Sequence, residues 1–544
     1  MDYPYPWLKS YPPGVPEHLE YPPVVLPDLL RQAARDYPEK EALSFYDNPV
    51  TYSVFYGYVS RFAAALVNLG VQKGDRVAIM GPNCPQWEIA FFGALMAGAV
   101  VVQTNPMYRG RELTFLFNDS GAKTVVVYKP LLPLILATKA ATGVERVVAF
   151  DFVPTFQPAG EGVEVFEQII AASPNLQLPP VDLEELAILQ YTGGTTGDPK
   201  GVMLTHRNLV VNTLQALAAM TPLSPRKGEE VMLTVLPLFH VYGMTAAMNL
   251  AVALAAKQVI LPRFEVGEVM TAIAKHRVTY FPGAPTMYVA VNNYPGVEKA
   301  DISSVKGCLS GSAPLPPEVQ RRFEELTGAT LVEGYGLSEA SPVTHLNPLG
   351  EVRRGGKIGL PVSDTVARIV DAETGTRELG PGEVGEMVVK GPQVMQGYWN
   401  KQEETAAVLR DGWLYTGDLA TMDEDGFFAV VDRKKDLIIA GGFNIYPREV
   451  EDVIYEHPKV KEAAVVGISD PYRGETVKAF VVLKENESLS ADELISFLRE
   501  HIASFKVPRQ VEFRSELPKT MVGKALRRVL REESDAQARK GEEV

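Results

Sequence analysis

Apolar positions along the chain follow two periods, one typical of amphipathic helices and one typical of buried strands. Residues 27–38 and 51–70 place apolar side chains at helical spacing, so both predict helices. Residues 73–83 predict a strand followed by a turn, and residues 87–106 predict a helix that leads into a buried strand. Residues 122–128 predict another strand. This alternation of strands and helices predicts parallel sheets covered by helices.

The longest apolar stretches are too short to cross a membrane as a helix. Residues 89–102 and 244–256 are both shorter than the ~20 residues that a spanning helix needs. The opening residues 1–23 are rich in proline and tyrosine and contain no apolar run, so we expect no secretory signal. The expected location is the cytoplasm.

Composition narrows the class of protein. The 544 residues are 46% hydrophobic and 22% charged, which indicates a globular chain of two to four domains. A net charge of −14 argues against a nucleic-acid partner, because binding to a phosphate backbone needs a basic face. The two cysteines, Cys84 and Cys308, lack metal-ligand spacing and are expected to be reduced and buried.

Charge also suggests a domain boundary. Residues 433–544 carry equal numbers of acidic and basic side chains, so the whole net charge of −14 belongs to residues 1–432. We therefore predict a large domain over residues 1–432 and a small one over residues 433–544, with the boundary at Asp432.

Residues 191–208 contain the strongest local motif. Three glycines, three threonines and Lys200 fall within ten residues directly after an apolar run. Glycines let successive backbone N–H groups point at one anion, threonine hydroxyls add donors, and lysine adds charge, so the motif favours a polyphosphate. It matches neither a Walker loop nor a Rossmann fingerprint. The alternative is a plain surface loop between a strand and a helix.

Four later segments, read with this loop, resemble one family. They are residues 236–244, 332–341, 412–451 and 517–528. In this order they are similar to the motifs of the adenylate-forming enzymes, which include acyl-CoA synthetases, firefly luciferase and peptide-synthetase adenylation domains. The closest likeness is to bacterial long-chain fatty acyl-CoA synthetases, since residues 6–16 and 105–123 resemble theirs as well.

The resemblance implies an α/β fold, a reaction and its reactants. It implies a large N-terminal domain of helix-covered β-sheets and a small, mobile α+β C-terminal domain. A fatty acid would attack the α-phosphorus of ATP, giving an acyl-adenylate and pyrophosphate, and coenzyme A would then displace AMP. Mg²⁺ would assist, because the first step brings an anion to a polyanion.

The resemblance also implies which residues bind ATP. Glu339 and Thr192 would hold Mg²⁺, Tyr335 would stack on adenine, and Asp418 would accept hydrogen bonds from the ribose. Serine at 338 replaces the family's usual threonine and keeps the hydroxyl. The full implied set for ATP and AMP is Thr192, Gly193, Gly194, Thr195, Thr196, Gly197, Lys200, Gly311, Ser312, Ala313, Glu333, Gly334, Tyr335, Gly336, Ser338, Asp418 and Arg433.

Further roles follow from the same resemblance. Lys524 would be the mobile catalytic lysine, and His240 would lie at the carboxylate end of the acyl pocket. Asp432 would be an exposed hinge about which the small domain turns between the two steps. Gly441 and Gly442 would then approach coenzyme A, and the acyl pocket would be formed by His240, Val241, Met244 and Gly283, within the stretches 241–256 and 283–288.

Several alternatives stay open at this stage. Taken alone, Lys524 reads as a solvated lysine, His240 as a core histidine, Asp418 as a turn residue and Glu339 as a helix cap. A sibling ligase for medium-chain or aryl acids, a luciferase-like oxygenase, a peptide-synthetase module and a non-enzymatic nucleotide-binding protein are the competing functions. Tyr242 or Met244 would stand where some relatives carry a tryptophan gate. Peripheral membrane contact and a homodimer are further expectations.

Overall fold

The computed structural model describes residues 5–154, 156–173, 178–192, 199–350, 352–440, 443–470, 473–521 and 523–542. The chain forms two compact units. One comprises residues 1–366 and 389–414, and the other comprises residues 367–388 and 415–544. The predicted α/β class, with a large and a smaller part, is confirmed. The boundary predicted at Asp432 stays a prediction.

An eight-stranded sheet forms the centre of the first unit. Its strands pair in parallel, except that Leu186–Thr192, Lys200–Thr205 and Gly397–Tyr398 pair antiparallel at one edge. In spatial order the strands are Gly397–Tyr398, Lys200–Thr205, Leu186–Thr192, Val100–Thr104, Arg76–Met80, Thr124–Tyr128, Arg146–Phe150 and Glu164–Val165.

Two four-stranded sheets complete the first unit. One contains Val231–Thr234, Lys257–Ile260, Glu41–Phe45 and Asn48–Thr51, and the other contains Gly307–Ser310, Thr330–Gly336, Val343–Leu346 and Leu360–Pro361. The α-helices of this unit are Leu26–Asp36, Tyr52–Asn68, Pro85–Met96, Gly110–Ser120, Leu132–Lys139, Phe166–Ala172, His206–Ala219, Val241–Gly243, Leu250–Ala253, Val266–His276, Pro285–Asn292, Pro317–Thr327 and Gln402–Val408, with a π-helical turn at Met244–Asn249.

The helices and strands predicted from periodicity are confirmed. The helix Tyr52–Asn68 begins where the Thr51 side chain accepts a hydrogen bond from the Val54 backbone N–H, as an N-cap residue does. The helix Pro85–Met96 is buried on nearly all sides, and it leads into the fully buried strand Val100–Thr104. Burial on both faces explains why these segments read as continuous apolar runs.

The second unit is built on a five-stranded sheet covered by helices. Its strands are Phe443–Ile445, Ile438–Ala440, Gly474–Leu483, Val460–Asp470 and Gln510–Phe513, and its helices are Pro447–Glu456, Ala491–His501 and Arg527–Glu542. The chain passes between the units within or beside the strands Val366–Val370, Gly385–Lys390 and Trp413–Met422. The strand Phe428–Arg433 pairs antiparallel with Trp413–Met422.

Both cysteines are free and buried, as expected. Burial raises the pKa of the Cys84 thiol to about 12, so it stays protonated at neutral pH. In the part of the chain that the structure describes, we find no helix that is both long and apolar enough to span a bilayer.

Candidate active site

The predicted phosphate loop connects two antiparallel strands. Thr192 ends one strand and pairs with Lys200, which begins the next. The two ends of the loop therefore lie side by side, and a helix, His206–Ala219, follows the second strand. Gly193, Gly194, Thr195, Thr196 and Gly197 lie outside the described residues, so their predicted contacts with phosphate stay predictions.

The predicted adenine-binding segments lie at the carboxyl ends of two neighbouring parallel strands. Gly307–Ser310 pairs with Thr330–Gly336, and Ser310 is opposite Glu333. The segment Gly311, Ser312 and Ala313 follows the first strand, while Gly334, Tyr335 and Gly336 end the second. Carboxyl ends of parallel strands share one sheet edge, which is where α/β proteins bind nucleotides.

Close packing explains the residue types in these motifs. A Cβ atom on Gly336 would lie 2.1 Å from the Pro342 carbonyl oxygen, so only glycine fits. Glu333 is buried and accepts a hydrogen bond from the Leu315 backbone N–H at 3.2 Å. The Tyr335 ring lies 6.0 Å from the buried His345 ring, and burial lowers the pKa of His345 to about 3. His345 is therefore neutral beside the predicted adenine site.

Glu339 lies on a single 3₁₀ turn, Ser338–Ala340, directly after these strands. Its Oε1 accepts a hydrogen bond from the Tyr398 hydroxyl at 2.7 Å. Among the described residues no group of three His, Cys, Asp or Glu side chains could hold a metal ion alone. One carboxylate beside a phosphate loop fits Mg²⁺, which commonly takes one or two protein carboxylates and completes its shell with substrate phosphates and water.

His240 and Tyr242 lie beside the same two strands. His240 caps a short helix, where its Nδ1 accepts a hydrogen bond from the Tyr242 backbone N–H at 3.2 Å. The Tyr242 hydroxyl donates to the carbonyl oxygens of Leu309 at 2.6 Å and Gly283 at 3.2 Å. A Cβ atom on Gly311 would lie 3.0 Å from the Tyr242 ring. The predicted acyl and adenine residues are therefore neighbours.

An apolar cavity of about 50 Å³ is lined in part by Leu309, whose carbonyl oxygen accepts the hydrogen bond from Tyr242. From the predicted stretch 241–256, Ala246 and Leu250 line this cavity. From the region of the second predicted stretch, 283–288, the lining residues are instead Tyr280 and Pro282. The described lining is Ala216, Met220, Leu223, Met232, Ala246, Leu250, Tyr280, Pro282, Gly307, Cys308, Leu309, Val332, Val343, Leu346 and Leu349. The four residues predicted for the acyl pocket, His240, Val241, Met244 and Gly283, are outside this lining, so their acyl contacts stay predictions.

In the second unit, Asp418 and Arg433 face each other across a strand pair. Asp418 is buried, and one of its oxygens lies 2.7 Å from the Arg433 Nε. A carboxylate only accepts hydrogen bonds and can take several at once. The pair is therefore suited to bind a ribose diol through Asp418 and a phosphate through Arg433.

Lys524 lies in a turn near this pair. Its backbone N–H donates to the Thr520 hydroxyl at 3.1 Å, and its carbonyl oxygen accepts from the Thr520 N–H at 2.8 Å. The charge of Arg433, followed by loss of hydration, lowers the pKa of Lys524 to about 8, although Asp418 opposes the shift. Lys524 is exposed, so loss of hydration contributes less to its lowered pKa than the charge of Arg433 does.

The expectation that Asp432 is exposed is wrong. Asp432 is only 4% exposed, and its carboxylate accepts hydrogen bonds from the backbone N–H groups of Arg433 and Arg448, both at 2.7 Å. Arg527 donates to it at 3.1 Å and also pairs with Glu451 at 2.7 Å. A polar residue before a charged run is typical of an exposed position. Here the Arg527 guanidinium, 95 residues away in sequence, offsets part of the cost of burying the carboxylate.

A second cavity, of about 740 Å³, lies in the second unit. Its lining includes three arginines, Arg473, Arg499 and Arg509, and two phenylalanines, Phe443 and Phe505, whose rings stack 4.6 Å apart. Arginines bind phosphates and aromatic faces stack on bases, so this cavity suits a phosphorylated nucleotide. The predicted Gly441 and Gly442, just before Phe443, lie outside the described residues.

One residue that joins the predicted motifs was missed. Tyr398 reaches Glu339 through its hydroxyl, and the Lys200 ammonium lies 5.0 Å from the centre of its ring. It brings the loop lysine and the predicted metal ligand together. Tyr398 is 59 residues from Glu339, and a single sequence contains no signal that relates the two.

Comparison with known proteins agrees with this geometry. Residues 30–399 match the model of the AMP-binding enzyme family, and residues 449–524 match that of the AMP-binding enzyme C-terminal domain. The chain belongs to the AMP-binding enzyme family. It is an enzyme of the adenylate-forming class that uses ATP.

Relatives and solved structures of this family cover nearly the whole chain. A long-chain-fatty-acid–CoA ligase of Bacillus subtilis is 47% identical over 97% of this chain and 98% of its own. One from Salmonella typhimurium is 40% identical with the same coverage. The crystal structure of ATP-bound MatB from Rhodopseudomonas palustris is 31% identical and has a TM-score of 0.85, covering 93% of this chain and 98% of its own.

Proposed function

We propose that this AMP-binding enzyme converts long-chain fatty acids to acyl-CoA thioesters through an acyl-adenylate, releasing AMP and pyrophosphate. The observation that carries the substrate class is the 47% identity to the Bacillus long-chain ligase over nearly both whole chains. The apolar cavity lined by Ala246 and Leu309 supports it through its chemistry, because alkyl groups bind to apolar side chains.

In the first step a fatty carboxylate oxygen attacks the α-phosphorus of ATP and pyrophosphate leaves. Lys200 and the loop after Thr192 bind the β- and γ-phosphates, while Tyr335 stacks on adenine and Asp418 binds the ribose. Glu339 and Thr192 would hold Mg²⁺, which would neutralise phosphate charge. Lys524 bridges the carboxylate and the α-phosphate, and donors fixed before reaction stabilise the charge that develops there.

In the second step the thiol of coenzyme A attacks the acyl carbonyl, and AMP leaves with the carboxylate oxygen. The arginines and stacked phenylalanines of the 740 Å³ cavity bind the nucleotide end of coenzyme A. Gly441 and Gly442 let the backbone approach the pantetheine arm. His240 orients the carboxylate of the acid in the first step and the carbonyl of the acyl-adenylate in the second.

The change between steps is a rotation of a C-terminal domain, residues 433–544, about Asp432. The two steps place different demands on Lys524, and these support a rotation. In the first step Lys524 must lie at the phosphates, and in the second it must leave room for the thiol. The carboxylate of Asp432 is held by Arg448 and Arg527 on the C-terminal side. These contacts support Asp432 as the residue at which the moving domain begins.

A panel of acids tests the substrate class. Thioester formation is measured with acetate, octanoate, palmitate, benzoate and ferulate at saturating ATP and coenzyme A. We expect kcat/KM to be highest for palmitate, because each methylene buried contributes ~0.8 kcal/mol until the pocket ends. A preference for acetate would contradict the proposal.

A sibling ligase for aryl acids is the second candidate. A feruloyl-CoA synthase of an Amycolatopsis species is 40% identical over 91% of this chain and 96% of its own. A preference for ferulate or benzoate over palmitate in the same panel would select this candidate.

We also propose a cytoplasmic location with peripheral membrane contact, and a homodimer. The co-substrates ATP and coenzyme A support the location, and the partitioning of long-chain acids into bilayers supports the contact. Sedimentation with neutral vesicles and light scattering test the contact and the dimer respectively. Recovery of all protein in the supernatant, or a mass of 59.6 kDa, would contradict them.

A further inference from the structure

The segment that carries Tyr398 is attached to two parts of the ATP site at once. Its strand Gly397–Tyr398 pairs with Met203 and Val202 on the strand that begins at Lys200. The Trp399 backbone N–H donates to the Gly201 carbonyl oxygen at 2.7 Å. The Tyr398 backbone therefore moves with the base of the phosphate loop.

The same segment also holds the turn that carries Glu339. The Met395 backbone N–H donates to the Glu339 carbonyl oxygen at 2.8 Å, and the Tyr398 hydroxyl donates to the Glu339 Oε1 at 2.7 Å. Tyr398 is only 8% exposed, so this hydrogen bond is shielded from water. A shielded hydrogen bond to one charged oxygen fixes the rotation of the carboxylate, and it thereby fixes the orientation of the other oxygen, Oε2.

The tyrosine ring contributes a second interaction. The Lys200 ammonium lies 5.0 Å from the ring centre, within the range of a cation–π contact. One side chain thus touches a cation that would bind phosphate and an anion that would bind the metal. It contacts each through a different part of the side chain, so the hydroxyl contact can be removed while the ring contact is kept.

We propose that Tyr398 is a positioning residue for the metal–ATP complex, with its hydroxyl orienting Glu339 toward Mg²⁺ and its ring holding Lys200 toward the phosphates. This inference rests on the proposed adenylation of a carboxylic acid by ATP and Mg²⁺. Partners that orient a metal ligand commonly change metal affinity 10- to 100-fold when they are removed.

The test measures binding rather than turnover. The full chain is titrated by calorimetry with α,β-methylene-ATP, once with excess Mg²⁺ and once with EDTA, and no acid or coenzyme A is present. For Tyr398→Phe we expect affinity to fall about 10-fold or more with Mg²⁺ and to stay within about 2-fold with EDTA. Tyr398→Leu, which also lacks the ring, should in addition weaken binding in EDTA.

Two comparisons make the result specific. Tyr11→Phe is the matched control, because its hydroxyl also donates at 2.7 Å but to the Pro361 carbonyl oxygen. It should bind like wild type in both conditions. Glu339→Gln and the double variant with Tyr398→Phe should show similar losses with Mg²⁺, since residues that act through one contact are not additive.

Two outcomes would overturn the proposal. Unchanged affinity of Tyr398→Phe with Mg²⁺ would show that the hydroxyl does not orient the metal ligand. Equal losses with Mg²⁺ and with EDTA would show a merely structural role. Wild-type protein that binds the Mg²⁺ complex but makes no thioester from any acid in the panel would instead contradict the proposed function, so the two failures are distinguishable.

Discussion

At the scale of single residues, the charge around Lys524 governs the proposed first step. Arg433 and Asp418 act on its ammonium in opposite directions, and the net result lowers its pKa to about 8. A lysine with this pKa is still mostly protonated at neutral pH, so it can stabilise negative charge at the α-phosphorus.

Replacing Lys524 separates the two half-reactions. Lys524→Ala should lower adenylation, measured as acid-dependent pyrophosphate exchange, by 100-fold or more, because one preorganised donor at developing charge contributes ~10²–10³ in rate. Thioester formation from supplied acyl-adenylate should stay within several-fold of wild type. Equal losses in both assays would contradict the proposed role.

The pH dependence of adenylation reports the same group. The protonated lysine is the active form, so kcat/KM for ATP should be constant below the Lys524 pKa and fall as the pH rises through about 8. Lys524→Arg keeps the charge at all accessible pH values, and its residual activity should lose this alkaline decline. A decline at the same pH in the arginine variant would assign it to another group.

At the scale of helices and strands, the apolar cavity unites segments that are far apart in sequence. The π-helical turn and the helix after it supply Ala246 and Leu250, and the parallel strands near Tyr242 supply Cys308 and Val332. Each contributes an apolar side chain to the lining. A larger side chain at one of these positions would therefore fill the cavity.

Narrowing the cavity should penalise long acids selectively. Ala246→Phe should lower kcat/KM for palmitate at least 10-fold relative to octanoate, because each methylene kept out of the pocket costs about 4-fold, from ~0.8 kcal/mol. The matched control is Ala407→Phe on the helix Gln402–Val408, an exposed position. If both acids lose the same factor in Ala246→Phe, this cavity does not hold the tail.

The periodicity of apolar residues predicted individual helices and strands well, but it did not predict which distant residues contact each other. The segments 51–70 and 87–106 formed a helix and a helix–strand unit because burial repeats along the chain itself. The buried state of Asp432 and the contacts of Tyr398 depend on partners 95 and 59 residues away. Such contacts depend on how the chain folds back on itself, and a single sequence contains no local pattern that predicts them.

At the scale of the whole molecule, the two proposed steps require one acyl carbonyl to meet different groups in turn. Asp432 is the proposed pivot, and its buried carboxylate ties it to Arg448 and Arg527. A substitution there changes both the backbone and an ion pair. The test must therefore separate these two effects.

Two substitutions at Asp432 achieve that separation. Asp432→Pro fixes φ and removes the carboxylate, whereas Asp432→Ala removes only the carboxylate. Both should lose stability, since leaving Arg527 with one partner fewer costs about 3 kcal/mol. Among folded protein, the proline variant should retain pyrophosphate exchange but lose most coenzyme A-dependent turnover, and the alanine variant should retain both. If both rates fall together in the proline variant, or neither falls, Asp432 is not the pivot.

The most direct test of the central claim follows one oxygen atom. Palmitate labelled with ¹⁸O in its carboxylate is incubated with the enzyme, ATP, Mg²⁺ and coenzyme A, and the phosphorus products are analysed by mass spectrometry. Attack of the carboxylate on the α-phosphorus predicts one ¹⁸O in each AMP and none in pyrophosphate, with one palmitoyl-CoA formed per AMP. Label in pyrophosphate or orthophosphate, or AMP that carries no label, would contradict an acyl-adenylate intermediate.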